Sequence, residues 1–181
     1  VVRPGSDPAF ALGLANVIIA EKLYDEEYVR GHTDLPLLVR TDTLKFLKPQ
    51  DLDPAYTPAV LKRTRVLQEG DKPGLPVEHD RQVVTQKLRN EWGDFMAWNP
   101  ATGKPEVVSR DDAARAGAWA LEGSYQVTLA DGKTATVRPV FDMTKEHCAT
   151  FTPEAVSDLC HVDRDALVAL AREIAANRGK T

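Results

Sequence analysis

Two cysteine–histidine pairs are the residues whose types most directly suggest metal chemistry. His147-Cys148 and Cys160-His161 together offer four nitrogen and sulfur ligands, the number that a structural zinc site needs. Neighbouring residues in a helix point about 100° apart, however, and rarely ligate the same ion. The gap between the pairs also lacks the C-x₂₋₄-C spacing of zinc sites. The pattern therefore favours two small buried thiols beside surface histidines over a metal site.

Other patterns that could carry chemistry are weaker. The acidic pairs at 26–27 and 111–112 are adjacent in sequence, so their side chains diverge, and a solvated face is favoured over a shared-proton dyad. Trp92, Phe95 and Trp98 could stack on a planar ligand, but aromatic residues at this spacing are more often part of a core or an interface. The sequence contains no nucleophile elbow and neither glycine-rich phosphate motif, which argues against a small hydrolase and a nucleotide loop.

The segment Arg3-Pro4-Gly5-Ser6-Asp7-Pro8 has the most specific chemistry. A helix N-terminus beside a glycine presents free backbone N–H groups, but the negative charge of Asp7 argues against a phosphate lying directly on it. The Asp7 carboxylate could instead accept hydrogen bonds from two adjacent donors on a base edge. Guanine offers such a pair in its ring N–H and its exocyclic amine. Considered alone, the motif favours a plain N-cap role for Asp7.

Helices must position the residues at the N-terminal end of the chain. Asp7, followed by proline, predicts a helix that runs to about Leu23. Asp25 is predicted to cap a short second helix over residues 26–30, which Gly31 ends. The apolar face of the first helix is predicted from its spacing: Phe10, Leu14, Val17 and Ile18.

The middle of the chain predicts strands and irregular structure. Residues 35–39 indicate a short strand weakened by a proline, and residues 51–76 are rich in proline and indicate an irregular excursion. Residues 99–103 predict a turn. Around Asp131-Gly132 the sequence alternates in a manner typical of a β-hairpin. The alternating positions are Tyr125, Val127 and Leu129 on one strand, and Ala135 and Val137 on the other.

The C-terminal part of the chain is predicted to be helical again. Thr152-Pro153-Glu154 combines a cap, a proline in the first turn and an early acid. Asp163 is predicted to cap the last helix. The predicted apolar stripe of that helix is Leu167, Leu170, Ala171 and Ile174. The fold class expected from these elements is mixed α/β, with N-terminal helices, a central β-hairpin and C-terminal helices.

Composition limits the kinds of partner. The net charge is −4, so there is no basic excess to neutralise nucleic acid. No apolar run approaches the roughly 20 residues that a membrane span needs, so direct membrane insertion is not expected. The two cysteines are too few for a disulfide framework.

Two stretches resemble the dimethyl-sulfoxide-reductase family of molybdopterin oxidoreductases. The family's usual form is P-G-T-D, an apolar helix, L-Y-D-x-x-F-V and then Thr, and a later Y-T-P-E…V…L-A-R-E-x-A. Ser6, Tyr28 and Phe151 replace the commoner Thr, Phe and Tyr. The matching residues are Arg3-Pro4-Gly5-Ser6-Asp7, Leu23-Tyr24-Asp25-Glu26-Glu27-Tyr28-Val29, Thr33, Thr152-Pro153-Glu154, Val162 and Leu170-Ala171-Arg172-Glu173-Ile174-Ala175.

The intervening sequence is similar to one branch of that family, which holds membrane-associated nitrate reductases, ethylbenzene dehydrogenase, and dimethyl sulfide, selenate and chlorate enzymes. The residues that carry this resemblance are Asp34-Leu35-Pro36-Leu37-Leu38-Val39-Arg40, Ala120-Leu121-Glu122-Gly123 and Val137-Arg138-Pro139-Val140-Phe141. The resemblance implies oxyanion reduction or anaerobic hydroxylation, but fold-level likeness does not fix a substrate.

The resemblance also implies a cofactor. A catalytic subunit of this family is several times longer, carries an iron–sulfur cluster near its N-terminus, and binds molybdenum in bis(molybdopterin guanine dinucleotide). It implies that Gly5, Ser6 and Asp7 lie near the guanine end of one dinucleotide and that the other residues are scaffold. No cluster cysteine, catalytic residue or metal ligand can be assigned here. We therefore expect these 181 residues to be inactive alone.

The implied partners are the rest of the catalytic subunit, an iron–sulfur electron-transfer subunit and, as a further candidate, a haem or membrane subunit. The implied location is periplasmic, in a membrane-associated or soluble complex, with the cytoplasmic face of the membrane as the alternative.

The expected domain organisation follows from the same resemblance. Residues 1–48 would end a dinucleotide-binding α/β domain, and residues 49–90 would form the irregular excursion. Residues 91–141 would form a β-rich insertion with the hairpin, and residues 142–181 a helical return. The alternative is a free-standing, non-catalytic α/β binding module that uses its tryptophan-rich face on a partner. Because the chain begins just before a helix with no preceding strand, the first hypothesis is favoured.

Overall fold

The structure is a computed structural model in which the chain divides into two compact units. One unit joins Val1–Val29 to Phe141–Thr181, and the other is Arg30–Val140. Helices and small sheets occur together, so the mixed α/β prediction is confirmed at this level. The described residues are 2–58, 64–67, 82–85, 90–109 and 119–177, with 64–67 and 82–85 described by their backbone alone.

Helices build the first unit. Its first helix, α1 (Asp7–Ala20), packs against two helices near the C-terminus, and these two also contact each other. Their inner residues, Ala9, Val156, Cys160 and Leu167, form one buried cluster. No helix within the described ranges is long and apolar enough to cross a membrane. The other helices of the described chain, of which α3 belongs to the second unit, are α2 (Glu26–His32), α3 (Pro49–Leu52), α4 (Val140–Cys148), α5 (Pro153–Cys160) and α6 (Arg164–Ala176).

Strands dominate the second unit. The strands are β1 (Leu38–Arg40), β2 (Thr64–Leu67), β3 (Gln82–Thr85), β4 (Phe95–Asn99), β5 (Lys104–Val108), β6 (Tyr125–Thr128) and β7 (Thr134–Pro139). An antiparallel sheet has the order β1-β7-β6, with Leu38 opposite Pro139 and Tyr125 opposite Val137. β4 pairs with β5 antiparallel, and β2 pairs with β3 parallel. The core of this unit is Leu38, Leu47, Met96, Val127, Ala135 and Val137.

Local capping and turn signals were predicted well. The Asp25 carboxylate accepts from the Tyr28 N–H at 3.0 Å, the Thr152 hydroxyl oxygen accepts from the Ala155 N–H at 3.2 Å, and the Asp163 carboxylate accepts from the Ala166 N–H at 2.8 Å. Both predicted turns connect paired antiparallel strands, and the hairpin around Asp131-Gly132 is confirmed. In each case the deciding interaction lies within a few residues of sequence.

The extents of the helices differ from the predictions. α1 ends at Ala20 rather than near Leu23, and α2 continues through Gly31 to His32. In α6 the predicted stripe is only half covered: Leu167 and Ala171 are buried, but Leu170 and Ile174 are 38% and 47% exposed. The neighbouring helices cover only the side of α6 that carries Leu167 and Ala171.

The strands and the proline-rich segment also differ in part. The strand predicted at 35–39 is shorter and begins later, at Leu38–Arg40. The sequence pattern did not predict β5. Within residues 49–90, which were expected to form an irregular excursion, the structure has α3 and the β2–β3 pair. Much of that segment lies outside the described residues. Its assignment as an excursion, like the other domain limits, stays a prediction.

Candidate functional site

The segment Arg3-Pro4-Gly5-Ser6-Asp7, called the 3–7 loop below, begins with a tight turn. The Ser6 N–H donates to the Arg3 carbonyl oxygen at 3.2 Å. A proline at the second position and a glycine with φ of +81° at the third are typical of a type II β-turn. Side chains disfavour this φ, so the turn needs glycine at position 5. No atom lies within 4 Å of where a Cβ on Gly5 would stand, so the backbone there is open to a ligand.

Ser6, and not Asp7, is the N-cap of α1. Its carbonyl accepts from the Phe10 N–H at 3.1 Å, which is the first bond of the helix. The Ser6 hydroxyl does not cap the helix but donates to the Arg3 carbonyl at 2.7 Å, and the residue is buried. The N-cap prediction for Asp7 was therefore wrong by one residue, because the side chain of Ser6 closes the turn and brings the helix start forward.

Asp7 is the first residue of α1, and its side chain is exposed. Within the part of the chain that the structure describes, no hydrogen bond or ion pair joins its carboxylate to another residue. The N-terminal end of a helix dipole stabilises a negative charge in the first turn. Asp7 is thus an exposed acceptor whose carboxylate makes no hydrogen bond within its own helix, two residues after the open backbone of Gly5.

The 3–7 loop is fixed to the C-terminal end of α5. The Arg3 N–H donates to the Cys160 carbonyl at 2.9 Å, and the Cys160 thiol donates to the Ser6 carbonyl at 3.5 Å. Cys160 is fully buried in the cluster that contains Ala9 and Val156. Sequence analysis missed this link because the two partners lie 154 residues apart and no local pattern relates them.

The cysteine–histidine pairs do not converge on a common point in the described structure. Both thiols are free and buried, and both histidines are exposed. Burial raises the pKa of the Cys148 thiol, which holds it in the neutral form. In the described ranges no three potential ligands of the His, Cys, Asp or Glu type come together.

The predicted aromatic cluster serves packing in the second unit. Trp98 stacks on Tyr125 with ring centroids 4.0 Å apart and an angle of 7°, and both rings pack against the core. Phe95 meets Phe46 edge to face at 5.4 Å. These contacts agree with the core interpretation of the aromatic residues.

Several curated proteins are similar to this chain over nearly its whole length, whereas no protein-family model matches it. Over 180 residues it is 34% identical to the perchlorate reductase subunit alpha of Dechloromonas aromatica (strain RCB), covering 96% of this chain and 18% of that protein. It is 29% identical over 217 residues to the dopamine dehydroxylase of Eggerthella lenta, covering 94% of this chain and 21% of that protein. It is 29% identical over 177 residues to the respiratory nitrate reductase subunit alpha of Haloferax mediterranei, covering 94% of this chain and 15% of that protein. The chain spans only 15–21% of the length of these relatives.

Proposed function

The chain belongs to the dimethyl-sulfoxide-reductase family of molybdopterin oxidoreductases, and from that premise we propose that it forms part of a catalytic alpha subunit in which the 3–7 loop binds the cofactor. Family membership implies an oxidoreductase with a molybdopterin cofactor. The finer proposal is that this cofactor is bis(molybdopterin guanine dinucleotide). The Asp7 carboxylate would then accept from the guanine base of one dinucleotide.

The observation that carries this proposal is the state of the Asp7 carboxylate. It is exposed, it is not used as a cap, and it follows by two residues a glycine whose surroundings are open. A carboxylate has two acceptor oxygens, and guanine has two neighbouring N–H donors, so the two groups are complementary. Hydrogen bonds to a charged acceptor are roughly twice as strong as neutral ones. The two acceptor oxygens of Asp7 therefore fit the two donors of the base.

The other residues of the loop have different tasks in this proposal. Gly5 allows the backbone to approach the ligand closely, because no side chain intervenes. The Ser6 hydroxyl hydrogen is already donated to the Arg3 carbonyl, so Ser6 can offer the cofactor only an acceptor and otherwise holds the turn. When bound, the molybdenum cofactor supplies two-electron redox chemistry. The residues of this chain supply binding and orientation.

The same proposal includes the partner subunits, the location and the substrate class of the whole enzyme. Two of the three relatives described above are named as alpha subunits, which supports further subunits. We propose the remaining alpha subunit, an iron–sulfur electron-transfer subunit and, as a further candidate, a haem or membrane subunit as partners. The iron–sulfur cluster would lie in the rest of the alpha subunit, and the complex would be periplasmic. An oxyanion is the proposed substrate class, supported by the names of the perchlorate and nitrate reductases.

Substituting Asp7 by asparagine in the full-length subunit tests the guanine contact. Asparagine keeps one acceptor oxygen but places an N–H₂ donor against a guanine donor, which leaves that donor unpaired. The expected cost is about 1–3 kcal/mol, a factor of roughly 5–150 in cofactor affinity. The measurement is the guanosine monophosphate and molybdenum content of the purified protein after extended dialysis, which does not depend on turnover.

Asp163→Asn is the matched control for that experiment. Asp163 also lies at a helix N-terminus of the same unit, but its carboxylate caps α6 through the Ala166 N–H. Asparagine caps about as well as aspartate, so this variant should keep both its stability and its cofactor. Full cofactor retention by Asp7→Asn would show that Asp7 does not bind guanine.

A further inference from the structure

The turn after β1 carries an exposed leucine in an unfavourable conformation. Leu44 is 70% exposed, the largest fraction among the exposed large apolar residues of the described chain. Its φ is +54°, in the left-handed region that leucine rarely adopts. The Leu44 N–H donates to the Arg40 carbonyl at 2.9 Å, so the turn closes around this conformation. Neither feature stabilises the second unit by itself.

The neighbours of Leu44 form an open groove. The groove has a volume of about 630 Å³, and Phe46, which is 37% exposed, supplies a further apolar wall. Phe46 is held in place by its edge-to-face contact with Phe95 and by the pairing of its backbone with Val39. Both the ring and the backbone of Phe46 are therefore held by contacts within the second unit. The lining residues are Arg40, Thr43, Leu44, Lys45, Phe46, Lys48 and Asp51.

The charges along this groove differ in how far they are neutralised. The Arg40 guanidinium contacts Asp42 at 2.7 Å and Asp51 at 3.9 Å, so it is paired. The Lys48 ammonium donates to the Trp92 carbonyl at 2.6 Å and lies 3.4 Å from the centre of the Phe95 ring. Lys45 is exposed and has no ion pair with any described residue. The groove thus presents the apolar side chain of Leu44 beside a lysine that has no ion pair with a described residue. Because the net charge of the chain is −4, this surface complements an acidic peptide and not a polyanion.

We propose that Leu44 and Lys45 form a docking site for an acidic polypeptide segment that carries a bulky apolar side chain, supplied by the part of the same subunit outside these 181 residues. The great length of the relatives beyond the matched region argues for that source. The apolar side chain covers Leu44 and Phe46, and an acid next to it pairs with Lys45. Burial of Leu44 in the intact subunit offsets the unfavourable backbone conformation. This inference rests on the proposed place of the chain within a longer subunit, but not on the guanine contact.

A photo-cross-linking amino acid at position 44 of the full-length subunit tests the occupant. We expect a cross-link to a peptide outside the 181 residues with Asp or Glu within about three residues of the attachment point. Thr128, an exposed polar residue of β6, is the control position and should give little cross-linking. A cross-link to the 181 residues, to another polypeptide or to a peptide without acids overturns the proposal, as does the absence of any cross-link. Cofactor content in the Asp7→Asn variant is a separate measurement, so the two proposals can fail separately.

A second substitution, Leu44→Asn, distinguishes a docked Leu44 from one that is simply exposed, by the direction in which it changes the thermal midpoint. Asparagine tolerates positive φ much better than leucine, so Leu44→Asn relieves the backbone while removing the apolar contact. If Leu44 docks, the thermal midpoint of the intact subunit falls by about 0.5–1 °C, a small shift because the subunit is long, and hydrogen exchange at the turn becomes faster. An unchanged or raised midpoint overturns the proposal. Lys22→Asn is the matched control, because Lys22 also has φ of +54° but is polar, and its midpoint should not fall.

Discussion

The contact between α1 and α5 yields a sharp stability prediction at Gly13. A Cβ on Gly13 would lie 2.8 Å from Cγ2, 3.1 Å from Cγ1 and 3.2 Å from Cβ of Val156, which is fully buried. Overpacking of this kind costs about 1–3 kcal/mol. Replacing glycine by alanine inside a helix gains about 1 kcal/mol. We therefore expect Gly13→Ala to lower the free energy of unfolding by about 0–2 kcal/mol, the opposite of its effect in an isolated helix.

A double-mutant cycle with Val156→Ala isolates that contact. Val156→Ala removes the two methyl contacts and leaves only Cβ at 3.2 Å, so Gly13→Ala should then stabilise by up to about 1 kcal/mol, and the coupling energy should be about 1–3 kcal/mol. The measurement is urea unfolding of the 181-residue chain followed by circular dichroism. Ala11→Gly, at an exposed position of the same helix, measures the difference in helix propensity between alanine and glycine without the contact to Val156. Equal stabilisation by Gly13→Ala in both backgrounds would refute the close approach of α1 and α5.

Two further predictions concern titratable groups of the first unit. The Arg172 guanidinium donates to both oxygens of Glu21, at 2.8 and 2.9 Å, and these bonds lower the pKa of Glu21. Because the lowered pKa of Glu21 adds stability that is lost as the pH falls through it, Arg172→Gln should destabilise the chain near pH 7 and lose this effect at acid pH, below the usual range of a glutamate pKa. Unfolding midpoints at both pH values check this, and an equal difference at both would contradict it. The pKa of Cys148 is raised by burial, so alkylation by iodoacetamide near pH 8 should be much slower in the folded chain than in urea, and equal rates would count against it.

The features that were predicted correctly depend on interactions between residues that are close in the sequence. Asp163 and Thr152 cap their helices as expected because a cap is decided within three residues. The exception is Ser6 beside Asp7, where two residues can both cap and the preceding turn decides between them. The prediction that Leu170 lies on a buried face of α6 was wrong for another reason. Periodicity identifies an apolar face but not how much of it another element covers.

The missed features depend on contacts that are distant in sequence. The pairing of β1 with β7 joins residues about a hundred positions apart, and nothing in the short β1 segment specifies that partner. The anchoring of the 3–7 loop through Cys160 has the same character. A buried cysteine could be predicted from composition, but its carbonyl and thiol act on a loop at the other end of the chain. Local sequence patterns therefore indicated the residues of the candidate site but not its geometry.

The two stretches that resemble the family as a whole lie together in the structure. The first stretch contains the 3–7 loop and α1, and the second contains α5 and α6. In space they form one helical cluster: Ser6 meets Cys160, Gly13 meets Val156, and Glu21 meets Arg172. A substitution in either stretch can therefore shift the 3–7 loop, because α5 holds the loop and α1 starts from it. In the proposed function, Asp7 is therefore positioned by this whole cluster and not by the N-terminal motif alone.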